Sequence, residues 1–352
     1  MSSCMSRHSA WREPTITRAQ KEAWVMNARR EPVPSHGPEA REGPLISRAR
    51  LVHGGAASLA VSLFGAKVRA QPAIPEGARM EQRKIPASGR LLPVIGCGTW
   101  QTFDVGTRAD ERARLAQVLR VLFESGGCVI DSSPMYGSSE EVVGDLLEAS
   151  GSRERAFVAT KVWTRGRDAG VAQMKRSMSL LRTGHVDLMQ VHNLVDWRTQ
   201  LATLRAWKRE GRISYLGVTH YTESAYGELE AVMRGEALDF VQLNYAINDR
   251  AAESRLLPLA AERGVAVIVN QPFGGGGLLR SLRERPLPAW AAEIECTSWA
   301  QLLLKFVLSN PAVTCVIPGT GRPEHMRENV AAGTGTIPPR GWWGTRLAEQ
   351  GF

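Results

Sequence analysis

Four residues of types that move protons stand at comparable places in this sequence: Asp131, Tyr136, Lys161 and His192. Asp131 ends the apolar run Cys128–Asp131, and Tyr136 follows in a turn bounded by Pro134 and Gly137. Lys161 ends the run Ala156–Lys161, and His192 ends Val186–His192. Singly, each has a plainer use. A strand-end Asp usually caps a helix or turn, a Tyr packs, a Lys is solvated and a His is a satisfied structural residue. Lysine is nevertheless scarce here, 7 of 44 cations, so its place is informative. Together on one rim the four make a proton-transfer site. A phenol titrates near ~10 and is a poor acid or base at neutral pH unless its phenolate is stabilised. A neighbouring ammonium does that. The Asp would hold the Lys charged and in place, and the His would orient a substrate oxygen by hydrogen bonding. The set suits proton donation to a carbonyl oxygen while another group attacks the carbonyl carbon. No nucleophilic Ser or Cys and no metal-spaced cluster accompanies it. The attacking group would then come from a cofactor, and hydride from a nicotinamide is the natural candidate.

Four strand ends share a rim only if the strands run parallel in one sheet. Eight short apolar runs read as strands: Val94–Gly98, Cys128–Asp131, Ala156–Lys161, Val186–His192, Ile213–Thr219, Phe240–Tyr245, Ala266–Asn270 and Val313–Ile317. Helical patterns lie between them. Leu115, Val118, Leu119 and Leu122 follow the i, i+3, i+4, i+7 rule, as do Leu302, Leu303, Phe306 and Val307. Ser138 with Glu141, and Ser298 with Gln301, have the spacing of capping boxes. Strands apolar enough to be covered on both faces, each followed by a helix, imply a parallel sheet. Eight such units imply a closed α/β barrel, the (β/α)8 TIM barrel, as a single domain over residues 80–335. Ahead of it, Arg83-Lys84-Ile85 and Arg90-Leu91-Leu92 flank Ala87-Ser88-Gly89 as a small hairpin. A doubly wound open sheet would want a Gly-rich dinucleotide turn, and Gly96-Cys97-Gly98-Thr99-Trp100-Gln101 lacks its third glycine.

Net charge is +9, which invites a nucleic-acid reading, but its distribution argues against one. Residues 1–79 hold 12 cations against 6 anions, and the rest hold 32 against 29, with no basic stripe interleaved with aromatics. The five cysteines are scattered, with neither a disulfide framework nor metal-ligand spacing, so no metal site is expected. No apolar run reaches the ~18 residues of a membrane span. Residues 1–79 read as a leader outside the fold. Within it, Ser47-Arg48-Ala49-Arg50 precedes a small, apolar stretch from Gly54 to Ala66, and Val68-Arg69-Ala70 offers a cleavage site after Ala70. That is the order of an export signal, one substitution from a twin-arginine pair. Residues 1–46 ahead of it are the obstacle, which a translation start downstream of Met1 would remove. A disordered leader with an incidental apolar patch is the alternative, so exported and cytoplasmic locations both stay open. Residues 336–352, with Pro338-Pro339 and Trp342-Trp343, read as a C-terminal tail without an amphipathic helix and are expected to be loose.

From Met80 to Gly335 the sequence resembles the aldo-keto reductase superfamily. The matching text is Gly96-Cys97-Gly98-Thr99-Trp100, Asp131 through Gly137, Thr160-Lys161-Val162-Trp163, Val191-His192 and the late segment Ile317 to Asn329. The resemblance implies a (β/α)8 barrel that reduces a small-molecule carbonyl with NADPH, NADH being possible. It makes Tyr136 the general acid, assisted by Lys161 and Asp131, with His192 orienting the carbonyl. Trp100, Trp163 and Asn193 fall at substrate-lining positions, and two indoles favour an apolar or aromatic carbonyl compound.

Cofactor positions carry over with departures. Gln242 matches the residue that holds the nicotinamide amide. Thr219-His220 stands where the family usually has Ser-Asn, and Asn270 replaces the usual stacking aromatic. Thr99 and Trp100, with Gln271, Phe273 and Gly275 at the run Gly274 to Gly277, join the expected contacts; the glycines fall where the family wraps the pyrophosphate. Where many members place a Lys and an Arg for the 2′-phosphate, this chain has Gly319 and His325. Thr320 and Arg322 remain for the phosphate, and Glu328 and Asn329 for the adenine. NADPH preference is therefore expected to be weakened. Two other readings stay open: a Schiff-base aldolase using Lys161, and a non-catalytic nucleotide-binding regulatory barrel. A monomer is the working expectation.

Overall fold

A computed structural model of the chain describes residues 79–352. The leader, with its apolar stretch and the site after Ala70, lies outside the described residues. The expected hairpin forms from β1 (Gln82–Lys84) and β2 (Leu91–Pro93), paired antiparallel. It plugs the N-terminal end of the barrel, because Ile85 and Leu92 are fully buried in the apolar cluster there.

The eight strands are β3 (Cys97–Gly98), β4 (Val129–Asp131), β5 (Phe157–Val162) and β6 (Val186–His192), then β7 (Ile213–His220), β8 (Phe240–Asn244), β9 (Ala266–Asn270) and β10 (Val313–Val316). All are parallel and pair in chain order from β3 to β10. Parallel bridges from Ile95 to Val316 and from Gly98 to Gly319 close the sheet into the expected (β/α)8 barrel. The first strand is the least regular. Of Val94–Gly98 only Cys97 and Gly98 ladder with β4. A Cβ on Gly98 would stand 2.8 Å from the Ile317 carbonyl oxygen, and one on Gly96 2.8 Å from Val129 Cβ. The seam closes there because both positions lack a side chain.

Around the barrel run α1 (Ala109–Glu124), α2 (Ser139–Ala149), α3 (Arg167–Leu180), α4 (Trp197–Arg209) and α5 (Tyr226–Gly235). They are followed by α6 (Leu256–Arg263), α7 (Gly277–Ser281), α8 (Trp299–Leu308) and α9 (Pro323–Ala331). The α1 stripe Leu115, Val118, Leu119 and Leu122 is buried, as is the α8 stripe Leu302, Leu303, Phe306 and Val307.

The two capping boxes fare differently. Ser298 Oγ accepts the Gln301 N–H at 3.3 Å, but the Gln301 side chain reaches the Thr297 N–H at 2.7 Å, not that of Ser298. At Ser138 no box forms. The Asp104 carboxylate takes both the N–H and the hydroxyl of Ser138 at 2.8 Å, and Ser138 Oγ accepts the Gly106 N–H at 2.9 Å. A charged acceptor from a distant loop outcompetes the local Glu141.

The tail also departs from expectation. Residues 336–352 carry a short helix, α10 (Gly344–Glu349), and pack onto the barrel's outer layer. Trp343 is 1% exposed and meets Phe306 edge-on at 5.4 Å and Trp342 at 5.1 Å. Buried Lys305 donates to the carbonyls of Thr334 at 2.9 Å and Thr336 at 2.7 Å. Arg340 pairs with Glu253. The anchor is two indoles and two cations rather than a helix face, so no periodicity announces it. Among the described residues no helix is long and apolar enough to cross a membrane.

Candidate active site at the C-terminal mouth of the barrel

The two-residue period of a strand decides which side chains share the barrel interior. From the apolar N-terminal layer, the inward positions run Val129 to Asp131 in β4, and Phe157, Ala159 to Lys161 in β5. They run Leu188, Gln190 to His192 in β6, Tyr215, Gly217 to Thr219 in β7, Phe240, Gln242 to Asn244 in β8, and Ala266, Ile268 to Asn270 in β9. Each strand is apolar at the bottom and polar at its C-terminal end. The sequence-predicted residues at strand ends therefore converge on one mouth, as the barrel architecture requires of a site.

Lys161 and Asp131 form the buried centre. Lys161 Nζ donates to Asp131 Oδ2 and to the Ser132 carbonyl, each at 2.7 Å, and the two side chains are 1% and 3% exposed. The ammonium lies 5.1 Å from the centre of the Tyr136 ring and interacts with its hydroxyl. Burial by itself would lower the Lys161 pKa, but Asp131 and then Tyr136 outweigh it and hold the ammonium above its usual range. For Tyr136 burial wins. It pushes the phenol above its usual range despite the pull of Lys161, with Asp131 adding to the rise. The ammonium thus offsets the burial only in part, and the phenol is protonated at neutral pH. His192 meets Tyr136 edge-on at 6.0 Å, and its Nδ1 lies 3.1 Å from Ser133 Oγ. Burial, then the Lys161 charge, then His220 hold the imidazole well below 6.5, so it is neutral.

The turn that carries Tyr136 is braced on both sides. The Tyr136 N–H donates to the Ser133 carbonyl at 3.0 Å. Gly137 has φ +59, and a Cβ there would lie 2.3 Å from the Asp104 carboxylate that holds Ser138. Thr99 Oγ1 lies 3.0 Å from both the Asp131 carbonyl and Ser132 Oγ, so it supports the strand end from below the mouth. Trp100 stands beside it, 37% exposed. Trp163 lies just past β5, its N–H on the Gln173 side chain at 2.6 Å. Asn193 follows β6 with φ +52.

The expected cofactor positions spread around the same mouth. His192, Thr219 and Gln242 are register neighbours across β6, β7 and β8. Gln242 is less free than expected, because its Nε2 donates to Asp131 Oδ2 at 3.3 Å and its Oε1 accepts from Gln190 at 2.8 Å. His220 falls on the other face of β7. Its Nδ1 accepts from the Thr222 N–H at 3.2 Å, and its ring stacks on exposed Tyr221 at 5.8 Å. Gln271, Phe273 and the glycines form a defined turn: Gly274, Gly275 and Gly276 all have positive φ, and the N–H groups of Gly274, Gly276 and Gly277 bond within it. The Gly275 N–H takes none of these bonds, and the Arg280 guanidinium lies where a Cβ on Gly276 would be 3.3 Å away.

In the late segment Gly319 bridges Gly98, Thr320 is buried with its Oγ1 accepting the Arg322 N–H at 3.1 Å, and His325 is exposed. Arg322, expected to be available to a phosphate, is paired with Glu324 at 2.5 Å. Asn329 is buried and Glu328 half-buried on α9. Ser133 and Gln190 carry contacts at the mouth, and Arg280 lies beside the glycine turn, with no signal in the sequence motifs. The two-residue step back from His192 would have found Gln190.

A polar ligand has a place here. Asp131 Oδ1, Gln190 Oε1, Asn193 Oδ1, Asn244 Oδ1 and Asn270 Oδ1 are buried without a hydrogen-bond partner, and all lie at or near the C-terminal ends of β4, β6, β8 and β9. Buried acceptors are costly to leave unpaired, and a carboxamide or hydroxyl donor would satisfy them. The residues present fit a nicotinamide nucleotide at this mouth. Among the described residues there is no group of three or more His, Cys, Asp or Glu that could hold a metal ion.

Comparison with known proteins puts this barrel in the class of NAD(P)H-dependent oxidoreductases. The model of the aldo/keto reductase family matches residues 94–340, and the chain belongs to that family. Methylglyoxal reductase YeaE of Escherichia coli (strain K12) is 30% identical over 260 residues, which cover 72% of this chain and 89% of that protein. The NADH-specific methylglyoxal reductase of the same organism is 28% identical, covering 71% of this chain and 93% of its own. A crystal structure of an aldo/keto reductase from Klebsiella pneumoniae in complex with NADP and acetate superposes with a TM-score of 0.63 at 26% identity, covering 74% of this chain and 91% of that one.

Proposed function

We propose that this chain reduces small aldehydes or ketones to alcohols with NADPH, using Tyr136 as the proton donor. One observation carries the reading: a buried Lys161–Asp131 pair stands beneath a protonated phenol and beside a neutral imidazole at the barrel mouth. When bound, the nicotinamide supplies hydride to the carbonyl carbon. His192 orients the carbonyl oxygen toward the Tyr136 hydroxyl. The phenol delivers its proton as negative charge builds on that oxygen, and the Lys161 ammonium stabilises the phenolate left behind. Asp131 keeps Lys161 charged and fixed, which also argues against a Schiff base on that amine.

For the cofactor, Gly275 and Arg280 suit the pyrophosphate, and Thr219, Gln242 and Asn270 suit the carboxamide. Trp100 and Met135, 37% and 43% exposed beside the turn, favour substrates with an apolar face. The relatives named as methylglyoxal reductases make small 2-oxoaldehydes the first class to assay. The test is NADPH oxidation with methylglyoxal and aromatic aldehydes. The Tyr136→Phe variant is expected to lose about 10²–10⁴-fold in kcat with its fold and NADPH binding intact. Full activity in that variant would overturn the assignment.

A further inference from the structure

We propose that Ser133 is a positioning residue that fixes His192 in the tautomer carrying its proton on Nε2. The inference rests on the carbonyl-reduction reading, since only that tautomer presents a donor to a carbonyl oxygen. A neutral imidazole has one N–H, and the partner of one ring nitrogen decides which nitrogen carries it.

Ser133 is fully buried, two residues past Asp131, and its Oγ lies 3.1 Å from His192 Nδ1. The Met135 N–H donates to the same Oγ at 3.3 Å, so the oxygen already accepts and its own hydrogen remains to be placed. Among the described contacts Nδ1 is the acceptor within reach of that hydrogen. With the hydroxyl donating, Nδ1 holds a lone pair and Nε2 holds the proton. The reverse arrangement would leave a buried hydroxyl hydrogen unpaired and turn a lone pair toward the substrate oxygen. The neighbouring serine has a different task, because Ser132 Oγ is taken up by Thr99 at 3.0 Å. The Ser133 carbonyl also accepts the Tyr136 N–H at 3.0 Å. One residue therefore sets both the direction of the phenol's turn and the polarity of the imidazole.

The experiment is imidazole ¹⁵N–¹H correlation on the ¹⁵N-labelled full chain at neutral pH, with the His192 signals assigned by their loss in His192→Asn. The expected result is a pyrrole-like Nε2 and a pyridine-like Nδ1. A proton on Nδ1 overturns the proposal, and this holds whether or not the chain reduces carbonyls. In Ser133→Ala the two tautomers are expected to mix and kcat to fall about tenfold, with the Kd for NADPH unchanged. Ser133→Thr, which restores the hydroxyl, is expected to recover most of the loss. Unchanged tautomer and kcat in Ser133→Ala would also overturn it. Should Ser133→Ala fail to fold, the wild-type spectrum decides. A correct tautomer in a chain that turns over no carbonyl compound counts against the proposed reaction and leaves the Ser133–His192 assignment standing.

Discussion

At the scale of single residues, burial and charge set the protonation states at the mouth, and this has a measurable consequence for stability. His192 is depressed well below 6.5 by burial first, then by Lys161 and His220. The unfolded chain therefore binds more protons than the folded one as pH falls below about 6.5. Stability attributable to this group is complete above that pH and declines below it, by about 1.4 kcal/mol per pH unit until the folded imidazole itself titrates. Denaturant melts between pH 8 and 5 should show the decline, and His192→Asn should reduce it, leaving the part due to His220, whose pKa burial also lowers. An identical slope in the variant would assign the effect elsewhere. A second residue-scale prediction concerns cofactor choice. Glu324 holds Arg322 at 2.5 Å, so a 2′-phosphate bound beside Arg322 would have to compete with it. Glu324→Gln should raise the ratio of kcat/KM for NADPH over NADH about two- to fivefold, the range of an exposed ion pair. A fall in that ratio would mean that Arg322 does not face the phosphate.

At the scale of elements, the segment between β4 and α2 shows how a local signal and a distant partner combine. The apolar run ending on Asp131 was legible as a strand, and the helix after it was legible too. The Ser138–Glu141 spacing points to a local box at the helix start, whereas the structure gives that start to Asp104, 34 residues away. A partner at that separation leaves no spacing signal in the sequence. The same carboxylate fills the space where Gly137 would carry a Cβ, at φ +59. Gly137→Ala should therefore displace Asp104, release Ser138 and tilt the turn that presents Tyr136. The expected cost is about 1–3 kcal/mol in stability, with kcat reduced more than the affinity for NADPH. A variant with unaltered kcat would show that the turn's geometry does not position the phenol.

For the molecule as a whole, the tail packs against the outer face of α8. Trp343 is 1% exposed against Phe306 of α8, and Lys305 of the same helix ties down Thr334 and Thr336. Trp343→Ala should cost about 3–5 kcal/mol, as large-to-small changes at buried aromatics do. Urea unfolding would measure it, and a cost within error of zero would mean the tail docks without supporting the barrel. Because the proposed proton-transfer residues lie on β4, β5 and β6 and in the turn after β4, away from the tail, residual folded protein should keep its kcat.

The sequence by itself determined the strands, their parallel order and the residues at their polar ends. That information is local: an apolar run marks a strand, and one that stops on Asp131, Lys161 or His192 marks the rim. Closure of the barrel then brings those ends together without further instruction. What the tertiary structure alone decided was partnership. It engages Gln242 with Asp131 across 111 residues, sets Ser133 on His192 across 59, and anchors a tail that shows no periodicity. It also pairs Arg322 with Glu324, two residues away, where the sequence offered Arg322 to a phosphate. Hydrogen bonds and ion pairs act over about 3 Å in space, and a polar side chain can meet any group the fold brings within that distance. Periodicity constrains which way a side chain faces, and only the folded chain fixes what it meets there.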